Sequence, residues 1–93
     1  MSKFNERINW ALCPSQVRDE LKRYQEHRMH TGGFLKAVLC DELQSAIVRA
    51  DPSNLRDLKE IVTFIYHEMD PLSNGSREKV KAWLLREDIL IKG

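Results

Sequence analysis

Cysteine is scarce in this chain: Cys13 and Cys40 are the whole supply. Two thiols make no disulfide framework, and Cys40 falls inside an apolar helical pattern, where a thiol acts as a small hydrophobe. A zinc site would need four ligands. The one set on offer, His27 and His30 with Cys40 and either Cys13 or His67, lacks the tight Cys-x-x-Cys spacing of structural zinc sites. No metal and no other cofactor is implied. An excess of charge of one sign is lacking too, since 15 Lys and Arg face 14 Asp and Glu for a net charge of +1. That balance supplies no whole-molecule field to steer the chain to nucleic acid or anionic lipid.

Long apolar runs are also missing. Nothing approaches the roughly 18 apolar residues of a membrane span, and residues 1–7 lack the apolar core of a signal peptide, so a cytoplasmic protein without a membrane partner is expected. No stretch alternates as a strand and no internal repeat is visible. No glycine-rich loop ends in the Lys-Ser/Thr of a phosphate-binding loop. His27, His30, His67, Asp41 and Glu68 are scattered without the spacing that singles out a nucleophile, a base and an orienting group, so no catalytic residue is assigned and the chain reads as a non-enzyme.

What the chain does contain is helical periodicity, at a length of 93 residues that suits one domain with a small core. The spacing predicts an all-α, compact bundle of about four helices over 14–28, 32–50, 52–69 and 76–88, preceded by a short helix or arm over 1–12. In that arm Phe4, Ile8 and Leu12 recur every four residues, and Trp10 stands off their line as an anchor on the core or a contact to a second subunit. Pro14 suits the first turn of the first helix, whose stripe is Val17, Leu21, Tyr24 and the stem of Arg28.

The second helix is the longest apolar run. Thr31 is its natural N-cap, and Phe34, Leu35, Ala37, Val38, Leu39, Cys40, Leu43, Ala46, Ile47, Val48 and Ala50 spread beyond one face. A helix so patterned is central or shares a face with another subunit. Asp51-Pro52-Ser53-Asn54 restarts the chain with Asp51 or Asn54 as cap. Leu55, Leu58, Ile61 or Val62, Ile65 and Met69 then form the stripe of the third helix, widened by Phe64 and Tyr66. Asp70 to Gly75 is turn chemistry, Asn74-Gly75 reads as an interhelical loop, and Ser76 caps the fourth helix, with Val80, Trp83 and Leu84 inward. The tail Ile89-Leu90-Ile91 is apolar enough to dock on the core or on another chain.

These residues carry a resemblance. Tyr24-x-x-His27, Thr31-Gly32-Gly33-Phe34-Leu35-x-Ala37-Val38-Leu39, Ala50-Asp51, Ile61-Val62, Ile65-Tyr66, Gly75-Ser76, Glu78-Lys79-Val80 and Ala82-Trp83 together resemble a group of small, mostly uncharacterised phage and prophage proteins. Thr-Gly-Gly-Phe-Leu is the most recognisable part. One departure is Asn74, which stands where the group tends to carry tryptophan. The resemblance implies a phage or prophage origin and action in the bacterial host cytoplasm; it brings no activity.

Two readings of the glycine hinge follow. The free N–H groups at the start of the second helix, with Arg28, His30, Thr31, Gly32, Gly33 and Lys36 around them, form a candidate site for a phosphate or carboxylate, and Tyr24 or Tyr66 could wall it. Alternatively the two glycines only let the first helix pass close over the second. At the level of function, the leading expectation is binding to a host or phage protein, or to itself as a homo-oligomer, with Trp10, Tyr24, Tyr66 and Trp83 as candidate contacts. The alternatives are a module that sequesters a phosphate-bearing nucleotide or metabolite at the Gly-Gly hinge, and a helix-turn-helix regulator. Near-neutral charge and mixed-sign helix faces speak against the last.

Overall fold

A computed structural model describes residues 8–85. Six helices follow in order: α1 (Ser15–His27), α2 (Gly33–Leu39), α3 (Leu43–Arg49), α4 (Pro52–Arg56), α5 (Leu58–Glu68) and α6 (Arg77–Leu85). Single 3-10 turns at Trp10–Leu12 and Pro71–Ser73 precede α1 and α6. No strand occurs among the described residues, so the fold is all-α. The expected helix ends beyond Leu85, Phe4 of the arm and the Ile89-Leu90-Ile91 tail lie outside them.

The stripes read from sequence meet in one core. Val17, Leu21 and Tyr24 of α1, Phe34, Leu35 and Leu39 of α2, Ile61, Phe64 and Ile65 of α5, and Val80 and Trp83 of α6 are all buried together. Burying each such side chain contributes about 1.5–3 kcal/mol. Capping follows residue chemistry. Asp51 accepts from Asn54 N at 2.8 Å with Pro52 just inside α4, and Ser76 Oγ accepts from Lys79 N at 3.1 Å ahead of α6. Both satisfy donors that a helix start leaves free.

Two expected helices divide. The run 32–50 is not one helix but the hairpin α2–α3, because Asp41 takes the left-handed conformation, φ 61°. Asp41 N donates to Val38 O at 3.0 Å and Glu42 N to Ala37 O at 2.9 Å, the paired bonds that close a helix end when the residue beyond the cap is left-handed. Aspartate tolerates that conformation better than most side chains. The apolar residues of 43–48 therefore leave the face that α2 buries: Ala46 alone is buried in α3, whereas Leu43, Ile47 and Val48 are exposed. The run 52–69 breaks less sharply, at Asp57, whose N–H still reaches Ser53 O at 3.1 Å.

Tyr24 and Trp83 tie the bundle together. The Tyr24 hydroxyl donates to the Ser73 carbonyl at 2.5 Å, and Trp83 Nε1 donates to the Tyr24 carbonyl at 2.9 Å. Arg28, left-handed at the end of α1 with φ 56°, lays its guanidinium 3.5 Å from the centre of the Trp83 ring and donates through Nη1 to the Trp83 carbonyl at 2.9 Å. The loop before α6 is pinned as well, since Gly75 N donates to Leu39 O at 2.8 Å.

Both cysteines are buried and free. Burial pushes the Cys13 thiol up from 9.0 to about 11 against the pull of Arg18, and it also raises Tyr24, with Cys40 adding to the rise and Arg28 opposing it. Each group is thus held protonated by the fold. The corresponding stability is complete below about pH 9, where the unfolded thiol is also protonated, and is lost as pH rises toward about 11. Melting temperature should fall across that window, and Cys13→Ala should flatten the fall when thermal unfolding is followed from about pH 8 to 11. Tyr24→Phe should lower stability at neutral pH by about 1–3 kcal/mol in urea titration, because the Ser73 carbonyl loses its buried donor.

Candidate functional site

The glycine hinge does not leave all of its N–H groups free. Gly32, not Thr31, occupies the N-cap of α2, and no side chain caps that end locally; the Thr31 hydroxyl donates to the Gly32 carbonyl at 3.1 Å instead. The expected N-cap role of Thr31 is corrected accordingly. The Gly32 N–H donates to a carboxylate oxygen of Glu20, which reaches over from α1. An anion belonging to the protein therefore already stands where a phosphate was expected. The other explanation, close passage of two helix backbones, is not what the hinge shows either. A Cβ on Gly32 would meet Glu20 Oε2 at 3.3 Å, and one on Gly33 would meet Arg49 Nη1 at 3.0 Å; both neighbours are ends of long side chains.

The candidate residues do not gather in one place. Arg28 is committed to Trp83, away from the hinge. Tyr24 and Trp83, expected as partner contacts, are enclosed in the core and reach no outer surface. Trp10 is half-buried, its ring 5.3 Å from that of Phe64 and capped by Lys22 Nζ at 5.9 Å, which is the anchor role rather than a free contact. Tyr66 is 77% exposed, packed edge-on against His67 at 5.0 Å between ring centres. Lys36 and Gly33 come together with residues that periodicity alone did not select, namely Glu42, Ser45, Arg49 and Arg77.

Those residues enclose a cleft of about 260 Å³ between α2, α3 and the start of α6. Its charge is uneven: Lys36, Arg49 and Arg77 face the single carboxylate of Glu42. Arg77 grips Glu42 with both arms of its fork, Nε to Oε2 at 3.0 Å and Nη2 to Oε1 at 2.9 Å, while Arg49 Nε donates to Ser45 Oγ at 3.2 Å and lies over Gly33. The Asp41 turn creates this arrangement, because folding α3 back on α2 returns Arg49 to the level of Gly33. A second cavity of about 340 Å³ shares Lys36 and Arg77 with the cleft and continues between His30, Cys40, Val80, Lys81, Leu84 and Leu85. A sequence signal for both cavities was present in the polar Asp41-Glu42 step inside an apolar run, a place for a turn rather than for continuous helix.

On the outer face of α3, where none of the candidate residues lies, Leu43 and Val48, with Glu42, Gln44, Ser45 and Arg49, border a broad depression of about 740 Å³. Among the described residues no group of three His, Cys, Asp or Glu side chains comes together to hold a metal ion, and no helix is long and apolar enough to cross a membrane. No family model, curated protein or solved structure matches the chain.

The glycines of the hinge and the glycine of the loop should respond oppositely to alanine. Gly33→Ala needs only the Arg49 end to swing, and the alanine gains helix propensity of up to about 1 kcal/mol, so stability should hold or rise. Gly75 sits at φ +114°, and Gly75→Ala should cost about 1–3 kcal/mol. Thermal unfolding of the two variants side by side measures the contrast.

Proposed function

We propose that this chain works by binding rather than by catalysis, and that its partner is a protein, either a host or phage protein or a second copy of itself, held on the outer face of α3. The observation that carries this reading is the composition of that helix: Leu43 is 62%, Ile47 44% and Val48 78% exposed, while Ala46 is its one buried residue. Seven residues are too few to be helical in isolation, so α3 exists by leaning on α2. A helix held in place by one small buried residue while presenting three large aliphatic ones is arranged as a contact element. Tyr66 and Val62, one turn apart on α5, are a further exposed apolar pair of the kind that partners cover.

The resemblance of Thr31-Gly32-Gly33-Phe34-Leu35 and its flanking residues to small phage and prophage proteins supports a setting in the cytoplasm of a bacterial host, and with it a partner from the host or the phage.

Light scattering of concentrated protein, paired with affinity capture from host lysate, tests the assignment. Leu43→Ser combined with Val48→Asp should abolish self-association or release the captured protein. Its melting temperature should stay close to that of the wild type, because surface changes of this kind cost within about 0.5 kcal/mol. A wild-type protein that stays monomeric and captures the same proteins as the double variant would overturn the reading.

A further inference from the structure

We propose that the paired cavities on either side of Lys36 and Arg77 form one binding site for a small phosphate monoester with an aliphatic body. The phosphate would lie in the cleft and the body in the adjoining groove. The cleft borders the depression beside α3 and shares Glu42, Ser45 and Arg49 with it, but the proposal does not depend on the protein partner proposed for that face.

Three features of the cleft select the head group. Its walls bring Lys36, Arg49 and Arg77 around one space, and the single lining carboxylate, Glu42, is already held by Arg77. A guanidinium fork matches the oxygens of a phosphate in pairs, and three cations balance a dianion where they would over-neutralise a carboxylate. Gly33 supplies the room, because a side chain there would collide with the Arg49 end that must move to meet the incoming group. At about 260 Å³ the cleft has room for a phosphate and its first linking atoms.

The groove selects the body. Val80 is fully buried and Cys40 nearly so, and with Leu84 and Leu85 they make an aliphatic wall, rimmed by His30 and Lys81. No Phe, Tyr or Trp lines it among the described residues, so a flat base would find no large ring to stack on, whereas a flexible chain fits. Lys36 and Arg77 belong to both cavities, which puts the charged end and the apolar end of one molecule at adjacent sites.

The Glu42–Arg77 pair makes a prediction of unusual sign. Glu42 competes with an incoming phosphate for Arg77, so removing its charge should tighten binding even though an ion pair is lost. Such an exposed pair contributes little to folding, within about 1 kcal/mol, and Glu42→Gln is expected to remain folded.

Titration of isotopically labelled full chain, followed by amide NMR shifts, tests the proposal with three probes: n-hexyl phosphate, inorganic phosphate and n-hexanol. Hexyl phosphate should move the signals of Lys36, Cys40, Arg77 and Val80 together. It should bind about tenfold more tightly than inorganic phosphate, which is the gain from burying roughly two methylenes. Glu42→Gln should strengthen both phosphates, Arg49→Ser should weaken both, and Leu84→Ser should bring hexyl phosphate down toward inorganic phosphate while leaving the latter unchanged. Equal affinity of the two phosphates, weakening by Glu42→Gln, or shifts spread over cations far from the cleft such as Lys59 would overturn it. Vesicles of phosphatidic acid and phosphatidylcholine complete the design. Sedimentation with vesicles that hexyl phosphate fails to compete away would mean a charged membrane surface instead of this site, and would overturn the proposal as well.

Discussion

The contact on which the rest of this fold depends is the closure of α1 onto α6 through Tyr24, Arg28 and Trp83. Two large rings lie 6.4 Å apart between centres, and each of the polar groups they carry into the interior is satisfied by a backbone carbonyl, Ser73 for the tyrosine and Tyr24 itself for the tryptophan. An unpaired polar group at such depth costs about as much as a buried methyl or two contributes, so the rings and the carbonyls have to be placed together. Arg28 finishes the arrangement from outside by covering the indole face, which a cation does favourably when the ring is desolvated. With α1 and α6 fixed in this way, the turn Pro71–Ser73 and the loop to Gly75 have one place to run, and that place puts Gly75 against the last carbonyl of α2.

A second constraint acts at Asp41. One residue in the left-handed region turns what would have been a helix of roughly five turns over 32–50 into a hairpin, and the consequences run in two directions. Inward, the return of α3 sets Glu42 opposite Arg77 and Arg49 over Gly33, so the cleft is made of residues from three helices that share no sequence pattern. Outward, it removes Leu43, Ile47 and Val48 from the core. The breadth of the apolar pattern over 32–50 thus has a cause different from central burial. The α2 half fills the core, and in the α3 half Leu43, Ile47 and Val48 face out while Ala46 stays buried.

The glycine hinge illustrates how much side-chain placement adds to motif chemistry. Adjacent glycines before a helix suggest anion capture because the first N–H groups of a helix are free and carry its positive end. Here Glu20 takes the Gly32 N–H from within the chain and ties the start of α2 to α1. The basic residues next to the hinge in sequence are sent elsewhere: Arg28 goes to Trp83 and His30 to the rim of the groove. Positive charge does collect beside Gly33, but it arrives from Arg49 and Arg77, 16 and 44 positions further along the chain.

The sequence by itself determined the all-α class, the turn at Asp70 to Gly75, the capping by Ser76 and by either Asp51 or Asn54, and the stripes of Val17, Leu21 and Tyr24 and of Ile61 or Val62, Ile65 and Met69. Each of these follows from interactions between residues within about four positions of one another, or from the apolar periodicity that one helix face requires. Only the tertiary structure decided that 32–50 folds back on itself, that Tyr24 and Trp83 serve the interior while Tyr66 faces out, and which cations share a cleft. A left-handed aspartate is a local choice that becomes worthwhile when the helix it creates has a neighbour to rest on. Which aromatic is buried, and which arginine meets which glycine, depends on partners tens of residues away whose approach no local period encodes.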